Sequence, residues 1–235
     1  MPADRPLPNW TSWALIATTF AKARTAVGTP LYAAAMATKP CYPADHDPTV
    51  EVRPALGRFG DFATVVGTKK AGAGGCWCMA YRDSRVSNAD RPDYMQNACA
   101  NPPGPGVLVY VDEVVAGWCS VAPRASYRRL LNSRTIPIVD GADAWPAVCF
   151  LVRTGFRKHG LMHDLLAGAV EHARNHGAEV VEGYPVLTEA GGRVDVISGY
   201  VGSVALFESA GFVRAAPTTG RSGGRQRWVM RKTLR

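Results

Sequence analysis

The chain has 235 residues and a mass of 25.2 kDa, with 47% apolar and 20% charged residues. That composition supports a real hydrophobic core and excludes a chain disordered throughout, and no run of about 18 residues is both uncharged and strongly apolar, which excludes a multi-span membrane protein. Lys+Arg 27 against Asp+Glu 19 leaves a net charge of +8, so an anionic partner is favoured: a phosphate-bearing cofactor, nucleic acid or an acidic surface.

Residues 1–48 read as an N-terminal extension and linker, and 49–235 as one domain. Trp13–Ala21 is apolar, but Asp4 precedes it, and Lys22 and Arg24 end the apolar run. This is a poor signal peptide. It reads as an amphipathic docking helix, or as sequence ahead of a later start at Met36. Cys41–Pro48 is a proline-broken linker. The other cysteines are Cys76, Cys78, Cys99, Cys119 and Cys149. Cys119 and Cys149 sit in apolar runs and read as buried hydrophobes. Cys76 and Cys78 form C-x-C with no second half, which is not zinc-knuckle spacing; flanking Trp77, they point to one sheet face and read as packing, with thiol reactivity or metal binding as the alternative. All six read as reduced thiols in a cytoplasmic protein, and no metal site is expected.

Val50–Pro54 alternates like a strand. Leu56, Phe59, Phe62, Val65 and Val66 recur at helical spacing, and residues 71–75 break that helix. Cys76–Met79 is apolar and reads as a strand, Arg91–Ala100 as a short helix, Asn101–Gly106 as a loop. Val107–Val121 is a hairpin turning at Asp112-Glu113. Pro123–Ser133 is basic and irregular or briefly helical. Ala147–Val152 is a buried central strand. A basic glycine turn comes next, then a strong helix over Leu161–His176, stopped by Gly177. Glu179–Tyr184 is a strand and Ser203–Ala210 a helix. Phe212–Arg214 and Gln226–Thr233 are two last strands, joined by a loose Pro217–Arg225. Strands interleaved with helices, with hairpins at both ends, predict a mixed α/β sheet.

The unit strand, Phe156-Arg-Lys-His-Gly-Leu-Met162, helix carries the chemistry. A helix N-terminus presents unpaired N–H groups and the positive end of the dipole, which suits a phosphate. Arg157 and Lys158 add charge, and Gly160 permits close backbone approach. The turn matches neither G-x-x-x-x-G-K-[ST] nor G-x-G-x-x-G.

Arg157-Lys-His-Gly160 resembles the R/Q-x-x-G-x-G/A acetyl-CoA signature of the GNAT N-acetyltransferase superfamily, with Met162 in place of the last small residue. The hairpin before it, the strand Val180–Tyr184 after its helix, and Leu206-Phe-Glu-Ser-Ala-Gly-Phe212 come in that family's order. Gly75–Met79, Gly117–Arg124, Val148–Phe150 and Val181–Pro185 resemble a bacterial subgroup of it. The resemblance covers Val50 to the C-terminus. It implies a GNAT fold: a mixed, mostly antiparallel sheet flanked by helices and splayed between two central parallel strands. It implies acetyl-CoA as cosubstrate, its pyrophosphate on Arg157, Lys158, His159, Gly160, Leu161 and Met162, and its pantetheine arm beside Phe150, Leu151 and Val152. The implied reaction is direct attack of an amine on the acetyl carbonyl, assisted by a general base and an acid.

The family's thiolate-protonating tyrosine falls at Phe207, so Tyr184 or Tyr200 is the candidate acid. Glu182, a carboxylate in an otherwise apolar strand, is the candidate base; the alternative is a side chain turned to solvent. Cys119 and Cys149 as acyl acceptors, and His159/His163 or His172/His176 as metal pairs, are weaker readings than core packing. Arg124, Arg128, Arg129 and Arg134 could meet the CoA 3′-phosphate or form a solvated face. The basic tail Arg214–Lys232 with Trp228 permits nucleic-acid binding, yet no recognisable DNA- or RNA-binding signature accompanies it. A degenerate acyl-CoA-binding protein is the other alternative. The acceptor, a homodimer and the status of the extension are left open.

Overall fold

The computed structural model describes residues 47–68, 76–188 and 200–234. The expectations for residues 1–46, for 71–75 and for most of the loop after Tyr184 lie outside these.

Seven strands form one sheet in the order β1-β2-β3-β4-β5-β7-β6: β1 Val50–Pro54, β2 Gly106–Val111, β3 Val114–Val121, β4 Ala144–Val152, β5 Val180–Gly183, β6 Val213–Ser222 and β7 Arg225–Thr233. All neighbours are antiparallel except β4 and β5. The helices are α1 Phe59–Val66, α2 Arg91–Ala100, α3 Arg128–Leu131, α4 Leu161–Asn175 and α5 Val204–Ser209. The mixed α/β sheet expected from the chain is the one found.

Local chemistry explains the well-read elements. Asp112 and Glu113 both take positive φ, +47° and +64°, the hand that matches strand twist in a two-residue hairpin. In α4 the residues Leu161, Leu165, Leu166, Ala169, Val170 and Ala173 are buried on one stripe. That stripe packs on one sheet face with Val107, Val109, Cys119, Phe150 and Val181. Helices α1 and α2 cover the other face with Leu108, Tyr110, Trp118 and Cys149. Ser203 caps α5, its hydroxyl oxygen accepting from the Leu206 N–H at 3.2 Å.

Two readings are corrected. Cys76–Met79 is a tight turn, not a strand: the Met79 N–H donates to the Cys76 carbonyl at 3.0 Å, with Trp77 and Cys78 at φ +23° and +44°. Pro217–Arg225 is not loose. Strand β6 runs through Pro217 to Ser222 and pairs with β7 out to Ser222↔Arg225 across a Gly223-Gly224 turn. Strand β6 is the sheet edge, where a proline with no N–H to donate is tolerated. Among the described residues no helix is long and apolar enough to cross a membrane.

Candidate acetyl-CoA and acceptor site

Strand β4 leaves the sheet through a 3-10 turn, Thr154–Phe156, whose Phe156 is buried and lies under the Arg153 guanidinium at 5.6 Å. This anchors an exposed loop, Arg157–Gly160. Lys158 and Gly160 adopt φ +69° and +80°, and a Cβ at Gly160 would meet nothing within 4 Å. Helix α4 starts next, and no side chain caps it. A 15-residue helix whose first turn has no side-chain cap, the His163 N–H being met by the Gly160 carbonyl at 2.8 Å, with two flanking cations and open space over a left-handed glycine, fits a pyrophosphate. Leu161 is buried and Met162 packs partly into the core. The bulk that departs from the family signature therefore turns away from the exposed loop.

The parallel pairing of β4 with β5 covers only Ala144–Ala147 against Val180–Gly183. Beyond it β4 has no β5 partner, which is the splay that the resemblance implied. The gap is partly occupied. The Phe150 N–H, expected beside the pantetheine arm, donates to the Tyr200 carbonyl at 2.8 Å, and the Val186 N–H to the Gly202 carbonyl at 3.1 Å. Leu151 faces the α1/α2 side and Val152 the α4 side. The Val152 carbonyl accepts from Arg157 Nε at 3.0 Å, which ties the basic loop to the strand. Phe207, fully buried, fills the space beneath Gly183 and Gly202 and stands edge-on to Phe150 at 6.0 Å.

At the β5 end of the gap the sheet buries a charge cluster. Glu182 is 2% exposed. Its Oε2 accepts from Arg124 Nη1 at 2.6 Å and from the Tyr184 hydroxyl at 2.8 Å, and Arg231 Nε lies 3.2 Å from Oε1. Arg124 Nη1 also reaches the Tyr184 hydroxyl at 3.2 Å. Glu182 is thus neither turned to solvent nor isolated. Desolvation, then the Glu182 charge, pushes the Tyr184 hydroxyl well above its ordinary range, so it keeps its proton. Glu182 and Tyr184 are brought together. Tyr200 is exposed, and its backbone carbonyl is the group that meets β4.

The basic stretches are less free than their sequence suggests. Arg124 turns inward to Glu182. Arg231 bonds Asp140 at 2.6 and 2.8 Å, Arg227 Nε donates to the Tyr184 carbonyl at 2.8 Å, and Arg214 pairs with Glu208. Two of the tail's cations, Arg214 and Arg231, are thus ion-paired within the fold, and Arg227 is tied to backbone, which weakens the nucleic-acid reading. His172 stands edge-on to Trp145 at 5.8 Å and His176 tilts against the same ring at 5.7 Å.

A cluster that sequence reasoning missed lies on the α1/α2 face. The Cys76–Met79 turn sets the Sγ atoms of Cys76 and Cys78 within 4.8 Å of each other and of Cys149 on β4. Trp118 Nε1–H donates to Cys78 Sγ at 2.8 Å. Hydrogen bonds from the other two thiols hold Cys76 far below the ordinary thiol range, whereas burial raises Cys78 to about 12, and donation to both partners raises Cys149 well above the ordinary range. Cys76 and Cys78 could be paired from sequence; Cys149, far along the chain on another element, could not.

A sheet opened at its one parallel pair, with a basic uncapped helix start at the opening, defines a domain of the acyl-CoA-dependent transferase kind. Residues 75–188 match the acetyltransferase (GNAT) family. That is a family of acyltransferases whose cosubstrate is acetyl-CoA. No curated protein matches the chain. Among solved structures, the chain is similar to yncA of Salmonella typhimurium with acetyl-CoA, at 17% identity over 79% of this chain and 94% of that one, TM-score 0.44. It is similar to an N-acetyltransferase of Staphylococcus aureus Mu50 at 13% identity over 80% and 99%, TM-score 0.47. A third, Ard1 of Thermoplasma volcanium, gives 13% identity over 80% and 98%, TM-score 0.45.

Proposed function

We propose that the chain, through a domain over residues 49–235, transfers an acetyl group from acetyl-CoA to a primary amine. The observation that carries this reading is the uncapped start of α4 at the point where β4 and β5 part. The first-turn N–H groups, Arg157 and Lys158 hold the pyrophosphate, with His159 at the loop's edge and the Gly160–Met162 backbone closest to it. The pantetheine arm runs along Phe150–Val152, and its approach displaces or shares the Tyr200 carbonyl now on the Phe150 N–H.

The amine attacks the thioester carbonyl; a C–N bond forms, the C–S bond breaks, and CoA leaves as thiolate. Glu182 is the base, and it acts through Tyr184. Its carboxylate is buried, but the Tyr184 proton already points at Oε2. A proton taken from the amine by the Tyr184 oxygen is matched by the hydroxyl proton passing to Glu182. Tyr200, the exposed tyrosine bordering the gap, is the acid for the thiolate. Arg124 and Arg231 hold the Glu182 charge in place when substrate is absent.

One observation favours a second reading, acyl-CoA binding without turnover. Phe207 at the family's tyrosine position is sealed in the core, and both Glu182 oxygens are already engaged. The test is titration with acetyl-CoA and CoA, followed by a screen of amines for thiol release. Amine-dependent release supports transfer; binding with no release for any amine supports the second reading. Absence of binding to either ligand overturns both.

A further inference from the structure

We propose that Cys76, Cys78 and Cys149 form a binding site for one thiophilic d10 metal ion, of which Zn2+ and Cu+ are the biological representatives. Their three Sγ atoms lie within 4.8 Å of one another. Three thiolates around one ion at about 2.3 Å stand about 3.8–4.0 Å apart, so closure needs a contraction of less than about 1 Å. The ligand set is all sulfur, and among the described residues no carboxylate or imidazole joins it. Soft thiolates select ions of this class, and hard cations such as Mg2+ and Ca2+ are excluded.

The backbone is bent to make the cluster. Trp77 and Cys78 occupy the two central positions of a left-handed turn where glycine and asparagine are the usual residues. Bulky residues held at positive φ are strained and persist where surroundings over-determine them. Here the turn is held by stacking of Trp77 on Phe59 at 6.3 Å and by Trp77 Nε1–H on Thr68 at 3.2 Å. An extended strand would throw Cys76 and Cys78 onto the side opposite Trp77 with no relation to β4; the turn instead gathers both thiols over Cys149.

Access and charge are consistent with an ion. Cys78 and Cys149 are buried, whereas Cys76 is exposed as a residue and stands at the rim, so an ion enters from its side. The Arg91 and Arg82 charges act on Cys76 and Cys78 respectively and offset the negative charge of a three-thiolate centre. Binding releases the remaining thiol protons to solvent and involves no change of oxidation state. The bound ion clamps the Cys76–Met79 turn to β4. The site lies on the α1/α2 face, and its existence does not depend on acetyl transfer.

The test uses the full chain, reduced and metal-free, titrated anaerobically with Cd2+ and then Zn2+. One Cd2+ per chain should bind with thiolate charge-transfer absorption, proton release in a pH-stat and a raised melting temperature. Cys76→Ser, at the rim, should leave the metal-free circular dichroism and melting curve unchanged and weaken Cd2+ binding by about a hundredfold or more. Cys149→Ser should abolish the same absorption band. Sub-stoichiometric uptake, or equal affinity in Cys76→Ser, overturns the proposal. So does a protein that, isolated in air, carries a disulfide among these three and takes up no ion after reduction.

Discussion

Gly183→Ala should destabilise the fold by about 3 kcal/mol, and it should do so through one ring. A Cβ at Gly183 would overlap Cε1 and Cζ of Phe207 and lie 2.9 Å from Cδ1. The ring has no retreat: it is fully buried, 5.0 Å edge-on from Phe212 and 6.0 Å from Phe150, with Gly202 on its other flank. Overpacking of this kind costs about 1–3 kcal/mol, and the lack of space places this case at the upper end. Phe207→Leu alone should cost about 2 kcal/mol by loss of buried ring surface. In the double variant the overlap disappears, so the combined cost should fall short of the sum by about 1–3 kcal/mol. Urea unfolding read at constant m supplies all three values. Costs that add within about 0.5 kcal/mol would refute the packing of Phe207 beneath Gly183.

Glu182→Gln leaves the Arg124 guanidinium, 12% exposed, without its carboxylate, and a buried charge stripped of its partner costs about 3 kcal/mol. Its urea midpoint should drop, while Arg231, still held by Asp140, should make Arg124→Met combined with Glu182→Leu milder than Glu182→Gln. Amine-dependent thiol release by a folded Glu182→Gln chain should fall in kcat with acetyl-CoA affinity unchanged. Burial, then the neighbouring His176, lowers His172 from 6.5 to about 4. The unfolded chain therefore binds more protons between these values, so stability is present above pH 6.5 and is lost as pH falls toward 4. The loss is at most about 3 kcal/mol, reduced by solvent screening, and thermal melts of His172→Phe should lack that acid limb.

Much of the frame was legible because its signals are local. Periodicity located α4, the apolar run located β4, and the acidic pair Asp112-Glu113 located the hairpin. Strand β6 was not legible: Pro217, Gly220, Gly223 and Gly224 together read as loop, and only an edge position makes that composition compatible with pairing. The Cys76–Met79 turn was misread because apolar composition says nothing about the sign of φ. The site divides the same way. The basic turn ahead of α4 was visible as a contiguous motif. Glu182 drew attention as a carboxylate among apolar residues, but its partners were hidden. Arg124 lies 58 residues away in sequence and arrives on the 3-10 turn Arg124–Ser126 that follows β3. Arg231 arrives through the antiparallel pairing of β7 with β5, opposite Glu182 itself. Cys149 joined Cys76 and Cys78 by the same kind of long-range placement.

The central claim is that the start of α4 holds the acetyl-CoA pyrophosphate, and calorimetric titration of the chain and of Gly160→Val with acetyl-CoA tests it most directly. A side chain at Gly160 meets open space but must adopt φ +80°, at a folding cost of about 1–2 kcal/mol. It would also stand where the phosphates approach the backbone. The wild-type chain should bind with a Kd on the order of micromolar, and Gly160→Val should weaken that at least about tenfold, about 1.4 kcal/mol, with the fold retained. Equal affinity of the two chains, both folded, would contradict the claim.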